Sequence, residues 1–231
     1  MSSSGFTRSP KIQKGAFVQL AETLGIPLPN IVPFQFNPAK MTRSLKPWNP
    51  LQVDENNRGQ LAPASQPFDP EETISMTLEL DAADHLEDDQ FIANTFGIGD
   101  RIAALEAMLF AGQTPLGQLV ALAASLLSGP QPPARPTVPV TFLVWGLGRM
   151  VPVRITEYSI EEQLFLPSLR PIQATINVGL QVLTPEAFKC IDTPSVTLAK
   201  AAYSFYRTQQ TVLALLNIVD SADELLAILP F

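Results

Sequence analysis

The sequence is poor in the residues that most often build chemical sites. It has one cysteine, Cys190, and one histidine, His85, among 231 residues. A single cysteine excludes an internal disulfide and is typical of a reducing compartment. A Ser-His-Asp triad would have to use His85, and no GxSxG motif accompanies it. The sequence therefore predicts a chain without catalytic activity and without a cofactor.

Charge is also scarce. Charged residues make up 16% of the chain and hydrophobic residues 46%, and the formal net charge is -7. Nucleic-acid binding is not expected, because neutralising phosphates needs clustered lysine and arginine. So low a charged fraction indicates that much of the surface is covered by other molecules.

Long hydrophobic runs are absent. Residues 107–134 carry no charge, but their longest apolar run, LVALAASLL, is far shorter than the roughly 20 residues that cross a bilayer. We expect a buried or partner-covered helix there. The first 14 residues contain no apolar segment of the kind found in secretory signals, so we expect a flexible arm over residues 1–14.

What the sequence does contain is alternating strand patterns. TISMTLELD alternates apolar and polar residues, and RPIQATINVGLQVL does so over a longer stretch, with an uncharged polar face. GAFVQL and NIVPFQF are further strands, separated by a predicted proline-rich loop, GIPLPN. TVPVTFLVW and RMVPVRI form a hairpin, in which Gly146 and Gly148 make the turn at positive φ.

Helices are expected between and after the strands. Asp100 is a candidate cap for a helix through RIAALEAMLF, with Ile102, Leu105 and Leu109 on one face. Thr193-Pro194 opens a helix that reaches Tyr206 or beyond, and Tyr203, Phe205 and Tyr206 fit its packing face.

These patterns together predict an α+β fold in which long antiparallel strands close into a barrel or sandwich. We expect a barrel domain over residues 15–190 with a helical insertion at about 100–130. A C-terminal helical extension over 191–231 follows.

The acidic run DAADHLEDD, Asp81 to Asp89, is the one candidate for metal or carboxylate chemistry. It lacks the glycine and the alternating ligands of a calcium loop. A solvated loop or helix start is the simpler interpretation, and a weak cation site stays open.

Four segments, taken in order, carry a resemblance: VPFQFNPAKMTRSL, ETISMTLELDAAD, VTFLVWG and VPVRITEYSIEEQLFLPSLRPIQATINVGLQVL. With these segments the chain resembles the tube-related family of contractile injection systems, which are phage-tail-like machines. Members are described as tube proteins or LysM-bearing adaptors. The resemblance covers residues from about 17 to 183, and the helical pattern after Leu183 departs from the βααβ pattern of a LysM domain.

The resemblance implies a tail-tube-like barrel and a place in the baseplate, where the inner tube joins the central spike hub. It implies a homo-oligomeric ring, a hexamer, that contacts inner-tube or tube-initiator proteins, the spike and other baseplate components. Assembly would take place in the cytoplasm, and the final location of the particle stays open. No cofactor and no nucleic acid are implied.

Within the matched segments we expect structural roles for Phe34, Phe36, Asn37 and Pro38, and for Trp145 and Gly146. The two phenylalanines are expected in the barrel core, while Asn37-Pro38 turns the chain. Candidate interface residues are Arg43 and Lys46, where the chain would leave the ring, and Asn177 and Gln181 on the uncharged strand face. For Arg43 and Lys46 the alternative is plain turn chemistry after a strand.

Two other functions remain as alternatives at this point. A monomeric small-ligand-binding β-barrel would need a large apolar lumen with a few convergent polar groups. A carboxylate-dependent hydrolase would use Asp81, Asp84 or His85.

Overall fold

The structure, a computed structural model, describes residues 13–23, 26–48, 68–88, 91–110, 126, 138–146, 148–189 and 191–221. Seven strands and four α-helices lie in these ranges. The strands are β1 (Ala16–Thr23), β2 (Ile26–Pro33), β3 (Met41–Lys46), β4 (Glu71–Asp81), β5 (Val140–Val144), β6 (Met150–Phe165) and β7 (Pro171–Val182). The helices are α1 (Ala83–Glu87), α2 (Phe91–Phe96), α3 (Gly99–Glu106) and α4 (Pro194–Asp220), and a 3-10 turn spans Pro185–Phe188.

The alternation predicted for β4 and β7 is confirmed. In β4 the apolar residues Ile74, Met76, Leu78 and Leu80 are all at most 5% exposed, while the intervening polar residues are exposed. Because successive strand residues point to opposite faces, this pattern gives the sheet one apolar and one polar face. Ile176, Val178 and Leu180 continue the apolar face on β7.

All seven strands form one antiparallel sheet in the order β2-β1-β5-β6-β7-β4-β3. The outermost strands β2 and β3 are not paired with each other among the described residues, so the expected closure into a barrel is wrong. The α+β class and the antiparallel arrangement are confirmed.

Prolines explain why β2 does not close onto β3. Phe34 N donates to Gly15 O, and in this register the N–H groups of residues 27, 29, 31 and 33 would point away from β1. Three of those positions are Pro27, Pro29 and Pro33, which have no N–H. The outer edge of β2 therefore keeps one donor, at Ile31. The predicted loop GIPLPN is largely this edge strand, a position that tolerates proline.

The open sheet is nevertheless strongly curled. Its two margins, β2 and β3, are joined by residues 34–40 alone. Margins of a flat seven-stranded sheet would lie about 29 Å apart, which is about the longest span of that connection when fully extended. The chain bends at Gln35 and Phe36, so the sheet has to curl for the connection to reach.

A main core fills the concave apolar side of the sheet. Phe17, Leu143, Val151 and Ile176 are fully buried in it. A second core lies on the opposite face of β1 and β5, where Leu20 and Phe142 meet α4 together with Phe188, Val196, Ala199 and Ala202.

Helix α4 starts at Pro194 as expected and continues well past Tyr206. Tyr203 and Tyr206 are buried, but Phe205 is 55% exposed, so its predicted place on the packing face is wrong. The buried residues recur three or four positions apart, and Phe205 falls outside that stripe.

The helical region after β4 begins earlier than residue 100. Helices α1 and α2 precede α3, and residues 111–125 and 127–137 lie outside the described part. Ile102 and Leu105 are buried as predicted. Asp100 is not the cap: Ile98 occupies that position and no side chain caps the helix, while Asp100 lies in the first turn.

No helix in the described ranges combines the length and apolar character needed to cross a lipid bilayer.

Candidate functional site

Three features stand out as surfaces that could bind other molecules. They are the polar face of β3, β4, β7 and β6, the free edges of those strands, and two exposed apolar surfaces. The residues singled out from the sequence are distributed among these features and the core.

Phe34 and Asn37 fasten the start of β1. The Phe34 ring is 3% exposed and packs edge-on against Phe17, with ring centroids 4.9 Å apart. Asn37 Oδ1 accepts a hydrogen bond from Gly15 N at 2.8 Å, and its Nδ2 donates to Gln13 O at 2.8 Å. Asn37 therefore pairs with the backbone of the strand start, while Pro38, half-buried, continues the turn.

Phe36 is 46% exposed, so its expected core position is wrong. The neighbouring Gln35 accounts for this: its Nε2 donates to Asp81 O at 2.6 Å and its Oε1 accepts from Asp81 N at 3.0 Å. These two bonds hold the chain in a bend at Gln35, so Phe36 no longer shares the inward face of Phe34.

Trp145 is half-buried beside Phe34, with ring centroids 6.3 Å apart. Trp145 N donates to Arg149 O, and Gly146 and Gly148 adopt φ values of 70° and 90°. The predicted glycine turn is confirmed. Trp145 packs against the main core at the start of this turn, and Gly146 lies in the turn itself. We call the end of β6 at this turn the base, and the other end of β6, where residues 166–170 join it to β7, the tip.

Arg43 is engaged within the chain. Its Nε lies 2.7 Å from Glu72 Oε1, and its Nη2 donates to Tyr206 Oη at 2.6 Å. Tyr206 Oη in turn donates to Glu72 Oε1 at 2.9 Å. Glu72 is 5% exposed, so this is a largely buried triad that joins β3, β4 and α4. The structure does not offer Arg43 as a free cation.

Lys46 and Gln181 lie near each other at the base of the polar face. Lys46 is exposed and sits opposite Glu71 in the β3–β4 register. Gln181 Nε2 donates to Glu71 Oε1 at 2.8 Å. The structure thus places Lys46 opposite the residue that binds Gln181, and places Arg43 apart from both.

Asn177 occupies the middle of the polar face. Thr77 Oγ1 donates to Asn177 Oδ1 at 2.8 Å. Beside this pair is a shallow open concavity of about 280 Å³. Its polar lining residues include Lys40, Thr42, Ser75, Thr77, Glu157 and Asn177.

A bulge in β6 shapes this concavity. The register with β7 shifts between Ile155 and Glu157, which leaves Thr156 as the extra residue. Gly179 lies opposite Glu157, and a Cβ there would stand 2.9 Å from Glu157 Cβ. Glycine therefore allows the two strands to approach closely at the bulge.

Besides the proline-rich edge of β2, two strands have free edges in the described part of the chain. β5 pairs only with residues 150–153 of β6, so beyond Val153 β6 has no partner on that side among the described residues. β3 is likewise unpaired on its outer side within the described ranges, and it contains no proline. Beyond Val153, over residues 154–158 of β6, the sheet therefore consists of β3-β4-β7-β6 with a free edge on each side, and nearer the tip it consists of β4-β7-β6.

The first apolar surface is at the tip. Arg170 lies over the Phe96 ring at 5.8 Å, and Ile98 N donates to Pro171 O at 3.0 Å, so α2 adjoins the β6–β7 turn. We call the exposed apolar residues of this region the tip patch: Phe91, Ile92, Phe96, Leu164, Phe165 and Leu169.

The second apolar surface is the far part of α4. Residues 211–218 are exposed at every position. We call its apolar members the distal segment: Val212, Leu213, Leu215, Leu216 and Ile218. Sequence reasoning missed both surfaces. The available signals were apolar residues in the turn LFLPSLRP and a helical run, TVLALLNIV, without a polar face.

The acidic run holds structural contacts. Asp81 Oδ1 accepts from Ala83 N at 2.7 Å, which helps to start α1. Arg101 Nη2 lies 2.7 Å from His85 Nε2, and because arginine is only a donor, the histidine accepts. Among the described residues no three His, Cys, Asp or Glu side chains are grouped to hold a metal ion. Asp89 and Cys190 lie outside the described residues.

The three tyrosines of the chain all have raised pKa values, chiefly because burial disfavours the tyrosinate form. Burial, with nearby Glu106 and Glu162, raises the pKa of Tyr158 to about 12. The pKa of Tyr203 is raised by burial and by its hydrogen bond to Asp69. The pKa of Tyr206 is raised by burial and by the Glu72 carboxylate.

We expect the folded protein to resist tyrosine ionisation and then to unfold in alkali. A raised pKa means that the folded state holds its protons more tightly than the unfolded state, whose tyrosines titrate near 10. This stabilisation is complete below pH of about 10 and is lost as the pH rises toward the folded values. Tyrosinate absorbance should stay low past pH 10 and then rise together with loss of circular dichroism. A gradual ionisation centred near 10 in folded protein would contradict the expectation.

No protein-family model matches the sequence, and no curated protein matches it.

Proposed function

We propose that this chain is a structural, non-enzymatic subunit of a phage-tail-like contractile injection particle. In this proposal it is a tube or baseplate adaptor that links the inner tube to the central spike hub. Copies form a ring, with six-fold symmetry by the family resemblance, and the ring assembles in the cytoplasm. The observation that carries the proposal is the four-stranded part of the sheet with a free edge on each side.

Two different free edges per molecule are what a closed ring needs. A head-to-tail contact between unlike surfaces generates a ring when the rotation closes. The β3 edge of one copy can face the outer edge of β6 in the next, with residues 154–165 as the available stretch. Such contacts would cover edges that otherwise invite aggregation.

The edge of β2 is unsuited to the same contact. Pro27, Pro29 and Pro33 remove three of its four outward N–H donors. A neighbouring strand could accept from Ile31 alone. The prolines therefore direct any strand-edge contact toward β3 and β6.

The polar face supports a covered or ring-lining position. Its β4 and β7 residues are mostly uncharged, with Thr73, Ser75 and Thr77 opposite Gln181, Gly179 and Asn177. Small uncharged polar residues allow close approach at low desolvation cost compared with charges. The net charge of -7 agrees with protein partners rather than nucleic acid.

A small-ligand barrel is less well supported. The concave apolar side of the sheet is filled by Phe17, Leu143, Ile176 and Leu180, each 0% exposed. The concavity near Asn177 lies on the other face and is shallow and polar. A ligand barrel needs an apolar lumen, and the described residues fill that space with side chains.

The proposal predicts that Asn177→Glu with Gln181→Glu blocks particle assembly more than folding. The double variant places carboxylates on the polar face, and Gln181→Glu also faces Glu71. Like charges brought together at an interface cost several kcal/mol. We therefore expect at least about a tenfold loss of complete particles, since each 1.4 kcal/mol is a factor of ten.

The measurement is electron microscopy of particles expressed with each variant, alongside circular dichroism of the isolated chain. Ala201→Glu, at an exposed position of α4, is the control for added charge and should assemble normally. Normal particle numbers with a folded double variant would show that this face is not an interface.

A further inference from the structure

The free edges of β3 and β6 carry opposite charges at the same level of the sheet. Lys40 lies immediately before β3, and Glu157 and Glu161 lie on the unpaired stretch of β6. All three side chains are exposed. None of them has an ion pair or a side-chain hydrogen bond among the described residues. One edge therefore offers a free cation, and the other offers two free anions.

The register of the sheet fixes the level of Lys40. Continuing the β3–β4 register by one residue places Lys40 opposite Thr77. Thr77 pairs with Asn177 on β7, and Asn177 pairs with Ser159 on β6. A line drawn across the four strands from Lys40 therefore reaches the other edge at Ser159, between the two glutamates.

A closed ring brings these two edges together. Rotation about the ring axis does not move a strand along that axis, so with upright strands Lys40 of one copy comes to the level of Ser159 in the next. There β3 runs antiparallel to the neighbouring β6, because three antiparallel pairings separate the two strands within one copy. A shift of about two residues either way, of the kind that strand tilt produces, would bring Lys40 directly opposite Glu157 or Glu161.

The other charges near the two edges leave this match in place. On the β3 side, two cations and three anions lie nearer the base: Arg43, Lys46, Asp69, Glu71 and Glu72. Glu79, one strand inward from β3, forms no ion pair with Lys40. On the β6 side, Arg154 lies toward the base, while Glu162 and Glu106 of α3 add two more carboxylates. At the level of Lys40 the β3 edge thus presents an ammonium group, and the β6 edge presents carboxylates.

We infer that Lys40 of one copy forms ion pairs with Glu157 and Glu161 of the next copy, and that these pairs set the register of the strand-edge contact. The inference rests on the strand-edge ring of the proposed function, but it needs no other component of an injection particle. The pairs align β3 with the unpaired stretch of β6 rather than with the stretch that β5 covers. Charge pairs at an interface select the partner and the register more than they add affinity.

Charge reversal tests the inference on the full chain by sedimentation velocity. The β3 variant is Lys40→Glu, and the β6 variant is Glu157→Lys with Glu161→Lys. We expect the unaltered chain to form assemblies larger than 25.1 kDa. Each variant alone should associate at least about tenfold more weakly, because the contact then brings like charges together.

Mixing the two variants gives the decisive result. The β6 edge of the β3 variant is unaltered and meets the unaltered Lys40 of the β6 variant. The two altered edges also carry opposite charges. An equimolar mixture should therefore regain the association of the unaltered chain, and so should a single chain that carries all three substitutions.

Two control variants make the same change in net charge at exposed positions away from both edges. Lys189→Glu matches the β3 variant, and Glu87→Lys with Glu186→Lys matches the β6 variant. Both controls should associate like the unaltered chain. High salt should weaken the association of the unaltered chain, because the paired charges are exposed.

Three results would overturn the inference. The first is an unaltered chain that stays at 25.1 kDa at every concentration. The second is a variant that associates by itself as strongly as the unaltered chain. The third is a mixture that stays as weak as its components although both variants melt at the temperature of the unaltered chain. A chain that assembles in this way but is missing from purified injection particles would contradict the proposed function and leave the inference standing.

Discussion

Gly97→Ala should lower the free energy of unfolding by about 3 kcal/mol or more. Gly97 has φ +61°, and a Cβ there would stand 2.0 Å from Pro171 O, which is a backbone atom. The left-handed conformation alone costs an alanine about 1–2 kcal/mol. Pro171 O also accepts the Ile98 N hydrogen bond, so moving it away loses about 1 kcal/mol more.

Gly99→Ala is the matched control for this prediction. Gly99 begins α3, and a Cβ there would meet nothing within 4 Å. The substitution should change the unfolding free energy by about 0.5 kcal/mol or less, or stabilise slightly, because alanine favours helix. Denaturant unfolding of both variants measures the difference. Equal effects at the two positions would show that α2 and β7 are not held as closely as the structure has them.

Glu72→Ala should destabilise the fold by about 2–3 kcal/mol. Removing one partner of a buried ion pair typically costs about 3–5 kcal/mol, because the other charge is left uncompensated. Arg43 is 29% exposed on its side chain, so water recovers part of that loss. Tyr206 loses its acceptor in the same step. The triad thus ties α4 to the margin of the sheet.

Glu71→Ala, which removes the neighbouring carboxylate, is the control for Glu72→Ala. Glu71 is exposed and its hydrogen bond is to Gln181, so we expect a loss of about 0.5 kcal/mol. Arg43→Met combined with Glu72→Leu should lose less than Glu72→Ala, because neither charge is then left alone. Urea unfolding of all four chains checks this. A Glu72→Ala variant as stable as Glu71→Ala would mean that the triad adds nothing.

Local patterns along the chain were enough to predict most of the sheet. Alternation in β4 and β7 identifies their buried faces without any other information, because the side-chain period of a strand is two. The start of α4 at Pro194 and the glycine turn at Gly146 follow from the restricted backbone of proline and the freedom of glycine. Both kinds of signal depend on a few adjacent residues.

The candidate interface was harder to predict, and Arg43 shows why. In the sequence it is a cation after a strand, but the partners that engage it, Glu72 and Tyr206, are 29 and 163 residues away. Phe36 was misassigned for the same reason: Gln35 bends the chain through bonds to Asp81, 46 residues on. A strand pattern cannot contain such distant partners.

The sequence by itself determined the antiparallel α+β class, the inward faces of the strands and the scarcity of catalytic groups. Only the tertiary structure decided that the sheet stays open, since closure depends on which strand lies at the margin. There the prolines of β2 remove outward donors that a central strand would need. The tertiary structure also decided where the tip patch and the distal segment lie, because exposure is a property of what packs nearby. The identity of an apolar residue in the sequence does not show whether the fold buries it or leaves it exposed to another molecule.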